Sequence, residues 1–219
     1  MGTLIDGVWT DEGGAPPAGK DGRYQRADSR FRNWITPDGA PGPEGEGGFE
    51  AEAGRYHLYA AINCPWAHRT MIVRTLKKLN DAVTLSTVLP RRTDQGWVFV
   101  EDGHQDPILG KASLHEIYTE SDAHYTGRVT VPVLWDKDRG VIVNNKSSEI
   151  IRMLNSAFGN LGDVGVDLYP EAARPVIDEW NALIYETVNN GVYRTGFART
   201  QEAYEEAFDA LFATLDKLD

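Results

Sequence analysis

The sequence predicts an α/β domain followed by a region built of helices alone. Three observations carry this prediction. Between about Arg55 and Gly159, apolar runs of strand length alternate with helical patterns in the order β-α-β-α-β-β-α. After Leu168-Tyr169-Pro170 only helical patterns remain, and the single cysteine, Cys64, falls where the first strand hands over to the first helix. A βαβ half joined to a ββα half is the thioredoxin-like order.

Residues 1–54 read as an extended N-terminal segment, with loops at Gly13-Gly14-Ala15-Pro16-Pro17 and from Pro37 to Gly48. Between them, Phe31-Arg32-Asn33-Trp34-Ile35 is too apolar to float free and is expected on the folded body. Residues 55–160 form the α/β domain. Its first strand is Tyr56-His57-Leu58-Tyr59-Ala60-Ala61-Ile62, rich in aromatic and apolar residues. Pro65 suits the first turn of the following helix, where a missing N–H costs nothing. Ile72, Leu76 and Leu79 recur at i, i+4, i+7 and predict its buried stripe, while Lys77, Lys78 and Asn80 close it.

Val83 to Leu89 is the second strand, followed by a polar excursion from Pro90 to Gly110 that contains Trp97. A helix near Ser113 to Ser121 precedes the third strand, Val129 to Trp135. A turn at Asp136 to Gly140 then leads into Val141-Ile142-Val143, and a helix from Ser147 to Phe158 places Ile151, Leu154 and Phe158 on one face. Pro132 cannot donate to a sheet ladder, which favours an edge strand if its peptide bond is trans. A cis Val131-Pro132 bond resolves the conflict, turning the backbone toward Cys64 and leaving the main chain of Val131 to pair with a peptide-like thiol.

Residues 161–219 read as the start of an all-helical domain. Helical patterns cover 171–190 and 200–218, the second through Ala203, Ala207, Ala210, Leu211, Thr214, Leu215 and Leu218. Two helices cannot bury their apolar stripes by themselves, and the second reaches Leu218-Asp219 without a stop signal. The domain is therefore expected to be incomplete, with further helices missing.

The net charge of −11 argues against nucleic acid and against anionic membrane as partners, since both demand surplus Lys and Arg. Small molecules are the expected partners. Met1 to Gly22 is polar rather than a basic-then-apolar signal, and no apolar run approaches the length of a membrane span, so the protein reads as cytoplasmic. The acidic balance, with Arg well in excess of Lys, suits a salt-rich cytoplasm as well as an ordinary acidic protein.

Cys64 sits in Asn63-Cys64-Pro65-Trp66-Ala67-His68-Arg69. A thiol at a helix N-terminus meets free backbone N–H groups and the positive end of the macrodipole, which favour the nucleophilic thiolate. Ala67 occupies the position where a Cys-x-x-Cys motif would carry its resolving thiol. The chain has no other cysteine, so a disulfide on Cys64 must be resolved by an external thiol. Two other readings exist. A lone cysteine can be a small buried hydrophobe, and a metal site using Cys64 with His68 lacks further ligands at a convincing spacing, so no metal is expected.

The stretches Phe31 to Ile35, Asn63 to Arg69, His124 to Asp136 (His-Tyr-Thr-Gly-Arg-Val-Thr-Val-Pro-Val-Leu-Trp-Asp), Ser148-Glu149-Ile150-Ile151-Arg152-Met153 and Asn190-Gly191-Val192-Tyr193 closely resemble glutathionyl-hydroquinone reductases, the xi class of glutathione transferases. The resemblance implies a thioredoxin-like domain followed by an all-helical one, with glutathione as cosubstrate beside Cys64 and a quinone-derived substrate. It implies that Trp97 and Arg128 line the glutathione site, that Val131 beside Pro132 pairs with the cysteinyl unit, and that Tyr193 assists proton transfer to the aromatic ring. On the residues alone, a Trp on a loop such as Trp97 and a Tyr in a helix such as Tyr193 are more often packing than chemistry, and Arg128 can be a surface charge.

The resemblance also implies that Ser147, at a helix N-terminus, receives the γ-glutamyl carboxylate. A plain N-cap is the other reading of Ser147. Glutathione transferases usually carry an acid just before this serine, to pair with the γ-glutamyl ammonium. Here that position is Lys146. Three readings follow: Lys146 turns to the ligand carboxylate, Glu149 or another acid replaces the missing charge, or the natural thiol is not ordinary glutathione; another γ-glutamyl thiol is a candidate that keeps the ammonium and so does not by itself explain Lys146. Two other functions remain in view: an omega-like thiol transferase or dehydroascorbate reductase, and a non-catalytic binding protein that keeps the fold. A homodimer is a partner the resemblance allows.

Overall fold

A computed structural model of the chain describes residues 2–11, 18–100 and 103–219, so the expected loop at Gly13 to Pro17 lies outside the described residues. The chain divides into two compact units. One takes Ser29–Leu168 with residues 2–11, and the other takes Tyr169–Asp219 with residues 18–28. The extended segment expected over 1–54 is thus divided between the two.

The first unit is built on a four-stranded sheet. After a short hairpin of β1 (Thr3–Ile5) and β2 (Val8–Thr10) come β3 (Tyr56–Ala60), α1 (Pro65–Leu76), β4 (Val83–Thr87), α2 (Leu114–Ser121), β5 (Val133–Asp136), β6 (Val141–Asn144) and α3 (Ser147–Ser156). The order across the sheet is β4-β3-β5-β6, with β3 parallel to β4 and antiparallel to β5. This is the predicted β-α-β-α-β-β-α succession. The Val131-Pro132 bond is cis and β5 begins just after it, inside the sheet, which overturns the edge-strand reading.

Side chains alternate across the sheet with the two-residue period of a strand. Leu58, Leu134 and Val143 join Val73 of α1 and Ile150, Met153 and Leu154 of α3 in one core. Tyr59, Val133, Trp135 and Ile142 join Leu114, Ile117 and Tyr118 of α2 in the other. The stripe predicted for α1 is corrected: Ile72 and Leu76 are 44% and 50% exposed, and Leu79 is buried beyond the end of the helix. The buried face is instead Ala67, Thr70, Val73 and Arg74. Arg74 tolerates burial because its guanidinium donates to the carbonyls of Val83 and Asn80. For α3, Leu154 and Phe158 are buried as predicted, while Ile151 is only half-buried and Ile150 and Met153 complete the buried face.

Phe31 to Ile35 lies on the body, as its apolarity demanded. Asn33 N–H donates to Val143 O at 3.0 Å, Arg32 bridges Asn144 in antiparallel register, and Ile35 is buried. The segment covers the free edge of β6, which would otherwise present unpaired backbone groups. The polar excursion after β4 is organised by Asp106. Its carboxylate accepts Tyr59 Oη–H at 2.8 Å and the backbone N–H groups of Ile108, Leu109 and Lys111.

In the second unit, α4 (Arg174–Ile184) runs into a π-turn at Tyr185–Asn189, then α5 (Gly191–Gly196) and α6 (Gln201–Leu218). Thr200 caps α6 by accepting Ala203 N–H at 3.2 Å. Arg23 fastens residues 18–28 to α6 through ion pairs with Glu202 and Glu206. No helix among the described residues is long and apolar enough to cross a membrane.

His57, in the middle of β3, is fully buried with Nδ1 2.7 Å from Thr84 Oγ1, and burial pushes its imidazole down from 6.5 to about 4. The unfolded chain therefore binds the proton first as pH falls. Stability present above pH 6.5 drains away toward pH 4, by roughly 3 kcal/mol for this group. Urea midpoints should drop between pH 7 and pH 4.5, and His57→Leu should flatten that drop. An equal drop in both proteins would assign the effect to another group.

Candidate active site

Cys64 is the residue that caps α1. Its backbone is extended, Pro65 opens the helix, and its carbonyl accepts the N–H groups of Ala67 and His68 at 3.0 and 2.8 Å. The preceding turn is held by Asn63 Nδ2, which donates to Pro90 O at 2.7 Å. The thiol is half-buried at the margin of the α2-side core, and its Sγ lies 3.8 Å from Val131 O. Structure thus brings together Cys64 and the Val131-Pro132 turn, two features 67 residues apart in the chain.

Trp97 is buried in the excursion after β4. Its carbonyl accepts Leu114 N–H at 2.8 Å, while its neighbours Val98 and Phe99 pair with Leu89 and Ala112. The Arg92 guanidinium lies 4.6 Å over the indole face. Trp97 Nε1 is buried with no hydrogen-bond partner among the described residues, a donor whose burial is costly unless an acceptor is supplied. Arg128 is half-buried and follows a tightly held loop, with its carbonyl accepting Tyr125 Oη–H at 3.2 Å. It enters the same short stretch that ends at Val131 and Pro132, both buried.

At the start of α3 the cap is Lys146, not Ser147, so the plain N-cap reading of Ser147 is corrected. Ser147 is the first helical residue and is buried. Its Oγ accepts two hydrogen bonds from Arg69, from Nε at 3.1 Å and Nη2 at 2.7 Å. Two accepted bonds occupy both lone pairs, so the hydroxyl proton is what Ser147 has left to offer, and it suits an anionic acceptor. Arg69 stands on α1 in the turn after Cys64, its guanidinium 5.2 Å over the Trp66 ring. Sequence reasoning missed it, although an arginine within the Cys64 motif itself was the available signal.

Glu149 is buried and fully engaged. It pairs with Arg32 through both carboxylate oxygens, accepts Asn144 Nδ2 at 2.8 Å, and stands 3.7 Å from Lys146 Nζ. Lys146 therefore leans on an acid of its own helix. The charge of this corner is set by the group Arg32, Lys146, Arg69 and Glu149 together rather than by Lys146 alone.

Tyr193 belongs to the second unit, on α5. There its ring stacks on Tyr24 at 6.1 Å, packs against Phe197, and lies 5.2 Å from the Arg26 guanidinium. The π-turn before α5, closed by Asn190 N–H donating to Tyr185 O at 2.9 Å, sets the phase in which Tyr193 is presented.

Residues 63–157 match the family described as glutathione S-transferase, N-terminal domain. The sequence is 51% identical to glutathionyl-hydroquinone reductase YqjG of Escherichia coli (strain K12), over 100% of this chain and 67% of the relative. It is 50% identical to glutathionyl-hydroquinone reductase PcpF of Sphingobium chlorophenolicum with the same coverage. The glutathione-bound structure of YqjG from Escherichia coli K-12 superposes with a TM-score of 0.87 at 49% identity, covering 99% of this chain and 65% of that one. The chain spans about two thirds of the length of these relatives. With the cysteine, the proline turn and the strand order already in place, it belongs to the glutathionyl-hydroquinone reductase family, the xi class of glutathione transferases.

Proposed function

We propose that the protein removes glutathione from glutathionyl-hydroquinones by way of a mixed disulfide on Cys64. The observation that carries this reading is a lone thiol, on the residue at the N-cap position of a helix and 3.8 Å from a backbone carbonyl that precedes a cis proline. No second cysteine exists to resolve it internally.

In the first step the Cys64 thiolate attacks the thioether sulfur. The S–S bond forms as the sulfur–ring bond breaks, and the electron pair leaves with the ring carbon, which takes a proton to give the hydroquinone. In the second step a free glutathione thiolate attacks the glutathione sulfur of the mixed disulfide, giving glutathione disulfide and the Cys64 thiol. The ring carbon is reduced from C–S to C–H, while the thioether sulfur and the sulfur of one free glutathione are oxidised to the disulfide, so the electrons balance.

Within this reading Trp97 and Arg128 hold the glutathione, the main chain of Val131 beside Pro132 pairs with its cysteinyl unit, and Ser147 donates to its γ-glutamyl carboxylate, backed by Arg69. Glu149 acts through Lys146 and Arg32, setting the charge of that corner. Tyr193 supplies the ring-carbon proton, on the strength of its motif. The thiol is glutathione or another γ-glutamyl thiol, whose common end is what the α3 corner meets.

Turnover of a glutathionyl-hydroquinone should be lost in Cys64→Ala by at least about a thousandfold, with hydroquinone and glutathione disulfide as the wild-type products. Equal turnover by the variant would reject the mechanism, and reduction of mixed disulfides without hydroquinone release would favour the omega-like reading. Ser147→Ala and Arg69→Met should each raise KM for glutathione by about tenfold with a smaller effect on kcat, the cost of one or two hydrogen bonds to a charged group. Unchanged KM in both would remove the α3 corner from the thiol site.

A further inference from the structure

The Asp-Gly turn at residues 6 and 7, with φ of 49° and 76°, closes a two-residue hairpin whose register is Thr3↔Thr10, Leu4↔Trp9 and Ile5↔Val8. The hairpin touches two loops that are otherwise remote in the chain. Along β1, Leu4 exchanges two 2.9 Å backbone hydrogen bonds with Gly127, and Thr3 Oγ1 donates to Gly127 O at 2.8 Å. At the turn, Asp6 N–H donates to Thr126 Oγ1 at 2.9 Å and Gly7 N–H to Tyr125 O at 3.0 Å. These contacts pin the loop that runs directly into Arg128.

From β2, Trp9 reaches the other way. Its indole N–H donates to Asp94 O at 2.9 Å, and its ring stacks on His115 with centroids 4.7 Å apart and planes 12° from parallel. The ring also presses on Gly96, where a side-chain Cβ would lie 2.9 Å from it, and Gly96 is the residue before Trp97. Gly96 has φ of 73°, so both its backbone conformation and the closeness of the ring call for glycine there.

We propose that this hairpin is the positioning element of the thiol site and Trp9 its positioning residue, fixing the loop that carries Trp97 relative to the loop that carries Arg128. The proposal rests on the reading above that Trp97 and Arg128 hold the thiol. Trp97 itself is held in the core, but the turn before it, Arg91 to Gln95, is exposed, and the Trp9 ring packs on that turn at Gly96, so loss of the ring loosens it. Ordering it on binding would then be drawn from thiol affinity.

The test uses the whole chain and measures the rate at which iodoacetamide alkylates Cys64, with and without glutathione. The glutathione concentration that halves the rate reports affinity, and the rate without glutathione reports the state of the thiol itself. Trp9→Ala should require about tenfold more glutathione for protection while its unprotected rate stays within about twofold of wild type. Trp9→Phe, which keeps the stack on His115 and loses the bond to Asp94, should fall between them and guards against loss of folding in the alanine variant. Wild-type protection in Trp9→Ala and Trp9→Phe, alongside weakened protection in Trp97→Ala and Arg128→Ala, would overturn the positioning role. Wild-type protection in Trp97→Ala and Arg128→Ala as well would overturn the reading on which it rests.

Discussion

Tyr59 of β3 lies opposite Val133 of β5 in an antiparallel ladder, so the chain leaving β3 toward Cys64 runs beside the chain that enters β5 from Val131 and Pro132. The approach of Cys64 to Val131 hangs on that register. A slip of one residue would turn Leu58 and Tyr59 to the wrong faces of the sheet and carry the Cys64 turn away from Val131 O. Because β3 and β4 are parallel, with Ala60 opposite Thr87, the excursion that carries Trp97 leaves from the same end of the sheet. The second helix on the far side of the ladder, α3, starts where β6 ends, and Arg69 of α1 reaches its first residue.

Buried carboxylates hold this frame together in a chain of net charge −11. Asp136, fully buried at the end of β5, takes a bidentate pair from Arg55 and the backbone N–H groups of Asp138 and Arg139. Glu149 takes Arg32, Asn144 and Lys146, and Asp106 takes Tyr59 and three backbone donors. Each acid thereby ties a length of irregular chain to the sheet. Removing one member of such a group leaves a charge uncompensated in a low-dielectric interior, which costs more than the intact group contributes. Raising the Arg55 pKa and the Tyr59 pKa is the titration signature of the same arrangement, the first through its hydrogen bonds to Asp136 and the second chiefly through burial.

Much of this was legible in the sequence because it depends on local chemistry. Cys64 before Pro65 at a strand–helix junction, the absence of a second thiol, and the conflict between Pro132 and a central strand all follow from single residues and their neighbours. The buried face of α1 did not, since Arg74 enters the core only because the carbonyls of Val83 and Asn80 meet it there, and periodicity reads apolarity rather than partners. Lys146 is anomalous beside Ser147 in the sequence alone, because the groups that share its corner are Glu149 and Arg32, and Arg32 lies more than a hundred residues away. The N-terminal hairpin was legible and unread: Asp6-Gly7 between two short apolar runs is a strong two-residue turn signal, yet the neighbouring glycine and proline content made the segment look merely extended.

The proposed chemistry that unites these parts is that of one thiol, Cys64, taking its partner from outside the chain. The most direct test is intact-mass analysis after incubation with glutathione disulfide, followed by peptide mapping and then by reduced glutathione. The account predicts a single glutathionyl adduct, on the peptide that carries Cys64, discharged when reduced glutathione is added. No adduct, or an adduct that reduced glutathione leaves in place, would contradict it.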